Sequence, residues 1–356
     1  MSKIRAAIIF GGDSNEYETS LKAASYVIRT IDKEEYETVC IGITKKGRWL
    51  YYPGTPDEIE SDKWSENQDC TPVVISPDPN RKGIIKLENG EAAYYKVDVI
   101  FPLVYGKNVE DGTMAGILRT IGIPFVGSDV MSSAACMDKA YTRMVLCYNG
   151  IKTSNWRAMH RNELGQLDKK CTEYSSELKF PLIVKPANFG SSEHMNKAET
   201  PEMLRDAIKL AFTQDEKVIV EEFIEGKEIQ VAVIGNDHPV VSVPGEVIVK
   251  TDDFDFNSIF SKCEYAIPAN IPEDISEVLK RMALRVFRIM GCSEMARIDF
   301  YLTPENEVVI SQINAVPELS EDSMYVKLLE KEGFSGTELI SELINQAIDY
   351  YDSRSV

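Results

Sequence analysis

Four polar side chains, Arg297, Asp299, Gln312 and Asn314, fall in the stretch EMARIDFYLTPENEVVISQINAVPEL, where two β-rich runs flank the turn-forming Pro304, Glu305 and Asn306. The pattern predicts a hairpin. With its turn centred between Glu305 and Asn306, Asp299 faces Gln312 and Arg297 faces Asn314. Alternation then gathers all four on one face and leaves Ile298, Phe300 and Ile313 on the other. Oxygen donors grouped in this way suit Mg²⁺, which takes one or two carboxylates and completes its shell with water and phosphate oxygens. Arg297 beside them offers a permanent charge to a phosphate or a developing oxyanion. The plain alternative is the solvated face of an antiparallel sheet.

Three further groupings could serve the same chemistry. Lys185 follows an apolar run and precedes Gly190, Ser191 and Ser192, a loop whose amides and hydroxyls could close over phosphates; an ordinary surface loop is the competing reading. In VIVEEFIEGKEI, apolar residues meet Glu221, Glu222, Phe223 and Ile224, a plausible adenine seat with Glu228 placed for ribose hydroxyls, or simply two strands joined by a charged turn. Glu16, in GGDSNEYETS, falls at the start of a predicted helix behind the first strand and could hold an ammonium group, or, like Asp13 and Ser14, merely cap that helix and compensate its dipole.

These groupings need elements to hold them. Ala6 to Phe10, a Gly11-Gly12 turn and the helically spaced Leu21, Ala24, Ile28 and Ile31 open an α/β unit, continued by Thr38 to Ile43, Val97 to Val104, a helix from Thr113 to Ile121 and the strand-like Ile123 to Val126. A parallel sheet over residues 1–127 is expected. A central unit over 128–216 and a third over 217–356, opening with the strand-like Lys217 to Glu221 and Glu228 to Ile234, complete the division.

The net charge of −18 argues against a nucleic-acid partner, because affinity for a phosphate backbone rests on clustered Lys and Arg. The longest apolar runs are too short to span a bilayer, so a cytoplasmic protein with no membrane partner is expected. Seven scattered cysteines without a Cys-x-x-Cys pair fit reduced thiols, and three histidines share no ligand spacing.

Order and spacing together resemble the D-alanine:D-alanine ligase family of ATP-grasp enzymes, the VanG-like D-Ala:D-Ser branch most of all. The residues carrying the resemblance are FGGDSNEYETSL, FPLVYGKNVEDGTMAGIL, GIPFVGSDVMSSAACMDK, VKPANFGSS, VIVEEFIEGKEI, ARIDFY and QINAVP, spread over nearly the whole chain. The resemblance implies a Rossmann-like first domain and two α+β domains enclosing ATP, and a homodimer. It implies that ATP phosphorylates the carboxylate of a first D-alanine and that a second amino or hydroxy acid attacks the acyl phosphate, in the making of peptidoglycan precursors.

By matched position, Lys139 and Lys185 would hold phosphates, Glu221, Glu222, Phe223, Ile224, Glu228 and Tyr301 would seat the nucleotide, and Ser191 would lie in the closing loop. Glu16 would bind the first ammonium and Arg297 the oxyanion, with Ser323 near the acceptor carboxylate. Asp299, Gln312 and Asn314 would hold Mg²⁺, or Mn²⁺ in its place.

The chain also departs from the family. Gln312 replaces a glutamate that bridges two metal ions, so metal affinity or rate should fall unless Glu318, Glu321 or Asp322 substitutes. Tyr105 replaces a histidine near the first D-alanine, Val109 a glycine, and Glu318 a small residue near the oxyanion. Ile259 and Phe260 align with a Lys-Tyr pair of the lid, and the glycine that closes the family's Gly-Ser-Ser-x-Gly run is replaced, the chain reading Ser191-Ser192-Glu193-His194. Two other readings therefore stand beside the ligase: a degenerate ATP-grasp protein that binds nucleotide or ligand without catalysis, and a dipeptide ligase with changed substrates.

Overall fold

A computed structural model describes residues 3–78, 80–88, 90–106, 108–189, 195–249 and 263–354. Three sheets follow one another along the chain. The first contains β1 (Ile4–Gly11), β2 (Tyr36–Ile43), β3 (Trp49–Tyr51), β4 (Thr71–Ile75), β5 (Gly83–Glu88), β6 (Glu91–Lys96) and β7 (Val99–Leu103), in the order β6-β5-β4-β3-β2-β1-β7. Its parallel part is confined to β2, β1 and β7, with one further parallel bridge from Ile100 to Phe125; β3 to β6 extend it as an antiparallel meander. The expected parallel sheet is thus mixed, and the run Ile123 to Val126 contributes a bridge rather than a full strand.

From Ala6 to Phe10, β1 is apolar because both its faces are covered. Ala6, Ile8 and Phe10 pack with the helix Tyr17–Thr30 and with Leu339, Leu343 and Ile344 of the helix Gly336–Arg354. Ala7 and Ile9 pack on the other side with Leu118 and Ile121 of the helix Thr113–Ile121.

The second sheet holds β8 (Trp156–His160), β9 (Leu182–Pro186), β10 (Asn196–Ala198) and β11 (Lys217–Glu222), ordered β10-β9-β11-β8. β11, expected to open the third unit, pairs with β8 and β9 instead. The sheets therefore change between Glu222 and Lys227, and the two strand-like runs of VIVEEFIEGKEI do not pair with each other.

β12 (Lys227–Ile234), β13 (Val240–Val241), β14 (Gly245–Val249), β15 (Cys263–Ala266), β16 (Met295–Leu302) and β17 (Val308–Asn314) form the third sheet, ordered β15-β14-β12-β16-β17, with β13 on β12. One face, through Ile229, Val231, Ile298, Phe300 and Ile313, packs on Leu279, Ala283 and Phe287 of the helix Glu273–Ile289. Alternation turns Glu228, Gln230, Arg297, Asp299, Gln312 and Asn314 to the opposite face. That face is where the chemistry gathers.

Candidate functional site

The hairpin β16–β17 has the anticipated pairs, Asp299 with Gln312 and Arg297 with Asn314. It reaches them by a different route. Towards the turn, Leu302 faces Val308 and Phe300 faces Ile310, one residue away from the anticipated register, and a bulge between Asp299 and Phe300 restores the pairing by leaving Ser311 unmatched.

The Asp299 carboxylate, 1% exposed, accepts from Arg297 Nε at 2.8 Å and Nη2 at 2.9 Å, and from Gln312 Nε2 at 2.8 Å. Asn314 Oδ1 accepts from the Val316 amide at 2.9 Å. Burial opposes the charge on Arg297, but Asp299 outweighs it and keeps the guanidinium protonated. One carboxylate flanked by two amides suits a single hard cation that also takes phosphate oxygens. Among the described residues no group of three or more His, Cys, Asp or Glu side chains is arranged for a metal ion. Of the acidic residues considered as substitutes for Gln312, Asp322 is exposed and pairs with Lys327 at 3.1 Å, Glu321 is exposed, and Glu318 accepts from Ser320 Oγ at 2.6 Å.

Lys139 opens the helix Lys139–Tyr148, whose N-cap Asp138 accepts from the amides of Ala140 and Tyr141. The Lys139 ammonium donates to the Phe189 carbonyl and shares a cavity of about 430 Å³, counting its open part, with Glu110, Gln312 and Asn314. Burial first, then Lys185 and Arg143, lower its pKa to about 7. A buried lysine perturbed by neighbouring cations in a cavity marks a candidate functional site.

Lys185, on β9, pairs with Glu221, which also accepts from Arg143 Nε at 2.9 Å and Ser154 Oγ at 2.7 Å. Burial alone would raise the Glu221 carboxyl, but Arg143 and Lys185 hold it down to about 2. Its charge is thus engaged in placing two cations. Around this cluster lies a cleft of about 390 Å³, again counting its open part, lined by Ile183, Lys185, Phe223, Ile224, Tyr301 and Ile310 among others. Glu222 lines it too while its carboxylate accepts from Asn155 Nδ2 and the Lys179 amide, both at 2.8 Å, a structural employment. Glu228 stands nearby opposite Tyr301 in the register, held by Gln230 Nε2 at 3.1 Å and raised to about 7 by burial and Asp299.

Glu16 is the N-cap residue of the helix Tyr17–Thr30 but makes no side-chain cap bond, so the plain capping reading does not hold for its carboxylate. Its amide donates to Ser14 Oγ, which donates to the Tyr105 carbonyl at 2.9 Å. Tyr105 is buried, and its hydroxyl accepts from the Leu319 amide at 3.2 Å; burial raises its pKa, with the charges of Glu318, Glu110 and Glu16 adding to it. Ser323 has the bonding of a helix cap, accepting from the Val326 amide at 3.3 Å at the start of Met324–Lys331. Ser191, with Gly190, Ser192, Glu193 and His194, and the pair Ile259 and Phe260, lie outside the described residues.

Three participants escaped the sequence. Gln230 could have been found, since alternation puts it on the face of Glu228. Glu110 lay within a quoted motif. Arg143 carries no signal, being one arginine in an amphipathic helix.

The D-ala D-ala ligase N-terminus family model matches residues 5–128, and the D-ala D-ala ligase C-terminus model matches 145–345. A D-alanine--D-alanine ligase of Caldicellulosiruptor bescii is 39% identical over 354 residues, covering 98% of this chain and 96% of the relative. D-alanine--D-alanine ligase A of Escherichia coli K12 is 38% identical over 355 residues, covering 98% and 97%. Among solved structures, the VanG D-Ala:D-Ser ligase from Enterococcus faecalis superposes with a TM-score of 0.90 at 33% identity, covering 97% of this chain and all of that one.

Proposed function

The chain belongs to the D-alanine:D-alanine ligase family, and from that premise we propose that it is an ATP-dependent ligase joining D-alanine to a second D-amino or hydroxy acid for peptidoglycan precursors. The observation that carries this reading is the convergence of Arg297, Asp299, Gln312 and Asn314 on one sheet face, with Gln312 and Asn314 sharing a cavity with Lys139.

A carboxylate is inert to amines until one oxygen becomes a good leaving group. In the proposed reaction the D-alanine carboxylate attacks the γ-phosphorus of ATP, releasing ADP, and the acceptor amine or hydroxyl then attacks the acyl carbon, expelling phosphate. The adenine lies in the cleft of Phe223, Ile224 and Tyr301, with the ribose hydroxyls against Glu228. Lys139 and Lys185 meet the phosphates, and Glu16 holds the ammonium of the first substrate. Asp299, with the amide oxygens of Gln312 and Asn314, would hold Mg²⁺, or Mn²⁺ in its place, and the bound ion would withdraw charge from the phosphate oxygens. Arg297 is fixed through Nε and Nη2, so its other edge is left for the tetrahedral oxyanion. Ser323 orients the acceptor, and the family resemblance would give Ser191, outside the described residues, a part in closing the site. The chain works in the cytoplasm as a homodimer of three-unit subunits, the first unit ending near residue 127 and the second, which takes β11, ending between Glu222 and Lys227; no described helix is long and apolar enough to cross a membrane.

The test is ADP release coupled to product analysis, with D-alanine as donor and D-Ala, D-Ser and D-Lac as acceptors. The reading expects ADP and a dipeptide or depsipeptide in equal amounts, dependent on Mg²⁺. Nucleotide binding with no turnover on any acceptor would overturn it in favour of the degenerate reading.

A further inference from the structure

We propose that Cys136 and Cys292 form a reversible disulfide, closed by a peroxide that enters through the cavity lined by Lys139, Gln312 and Asn314. Cys136 lies near the end of the helix Val130–Met137 and lines that cavity itself. Cys292 follows Gly291, just ahead of β16. Their sulfurs are 3.8 Å apart, in contact, and both residues are buried. Rotation about the two Cα–Cβ bonds brings such a pair towards bonding distance.

The contact is held from both sides. Ser132 Oγ donates to the Met290 carbonyl at 2.7 Å, and the Ser293 amide donates to Ser128 Oγ at 3.1 Å, so the helix and the turn before β16 are fastened around the thiols. The thiol–thiol hydrogen bond and burial push Cys136 up. The same bond draws Cys292 down against its burial, helped by Ser132 and Ser128. The contact thus favours the charged form of Cys292 over that of Cys136, and Cys136 borders the route by which an oxidant arrives.

One thiolate attacks the peroxide O–O bond, giving a sulfenic acid and water; the neighbouring thiol attacks that sulfur and expels a second water. Two thiols lose two electrons and two protons, and the peroxide becomes two waters. Exposed Cys147, beside the Thr153 hydroxyl, provides an internal standard for oxidation without a partner thiol at hand.

The experiment is a hydrogen peroxide time course on the full chain, quenched with iodoacetamide and mapped by peptide mass. The inference expects a cross-linked peptide joining Cys136 to Cys292, absent from Cys136→Ser and from Cys292→Ser and reversed by dithiothreitol. ADP at about ten times its dissociation constant leaves roughly a tenth of the cavities open and should slow cross-linking about tenfold. Should Cys136 and Cys292 both remain reduced thiols, alkylated when the quench is made in denaturant, after Cys147 is oxidised in the folded protein, the proposal is overturned. A cross-linking rate indifferent to ADP, whose binding equilibrium dialysis verifies, overturns entry through the cavity. Failure of ADP to bind at all speaks against the ligase reading, and the trapping result then decides the cross-link by itself.

Discussion

Gln312 stands where the family resemblance implies a metal-bridging glutamate, and its hydrogen bond shows what an amide does there. An amide can donate to Asp299, as Gln312 Nε2 does at 2.8 Å, whereas a glutamate there would set two carboxylates against each other in a buried position. Gln312→Glu should therefore destabilise the protein without metal by about 1–3 kcal/mol, yet show a larger rise in melting temperature when Mg²⁺ and ADP are added. Equal rises for the two proteins would sink the charge argument. Lys139 makes a second prediction. Its pKa is held near 7 by burial and neighbouring cations, well below the value near 10.5 of an unfolded lysine. Between those values the unfolded chain binds the extra proton, so this group makes stability rise with pH from about 7 towards 10.5. Phosphate favours the charged form, so nucleotide binding at pH 8 should take up close to one proton and weaken by up to about tenfold per pH unit above 7. Calorimetry in buffers of different ionisation enthalpy measures the uptake, and Lys139→Met should abolish it.

At the scale of elements, the bulge at Ser311 and the bond from the Leu319 amide to Tyr105 bring the site together. Alternation made the polar face of β16 legible in the sequence, because Ile298 and Phe300 must turn inward and Arg297 and Asp299 outward. The turn was less legible: the tight end pairs Leu302 with Val308, and only the extra Ser311 brings Gln312 opposite Asp299. Bulges carry little composition signal, so the anticipated pairs are right while the path to them is not. The grip on Glu221 by Arg143 was not legible at all, since a helix and β11 meet there only through the tertiary fold. Tyr105 ties the loop after β7 to the segment after β17, which carries Glu318. Tyr105→Phe leaves the buried Leu319 amide without that acceptor and should cost about 1–3 kcal/mol in urea unfolding. It should also raise the KM for the first amino acid more than it lowers kcat, because the loosened loop borders the proposed ammonium site at Glu16. Unchanged stability and kinetics would mean that the tie carries no weight.

For the whole molecule, chain order and packing order differ, and this decides which parts can stand alone. The apolar runs of β1, β2 and β7 were readable as strands, while the antiparallel extension β3 to β6 and the place of β11 were not, and nothing local says that the last helix returns to the first sheet. In the fold, Leu339, Ile340, Leu343 and Ile344 of the helix Gly336–Arg354 are at most 1% exposed and pack into the core that contains Ala6, Ile8 and Phe10, while Thr337 Oγ1 donates to the Thr30 carbonyl at 2.9 Å. Four fully buried aliphatic side chains contribute roughly 1.5–3 kcal/mol each, a sum comparable with the stability of about 5–15 kcal/mol of an ordinary domain. Residues 1–127 expressed alone should therefore lack a cooperative urea transition and bind a hydrophobic dye, although their own sheet is complete. Residues 336–354, joined to that fragment through a flexible linker, should restore both cooperativity and near-ultraviolet dichroism. Cooperative folding of the fragment without the helix would defeat this account, since it would show the first sheet closing its core from its own residues.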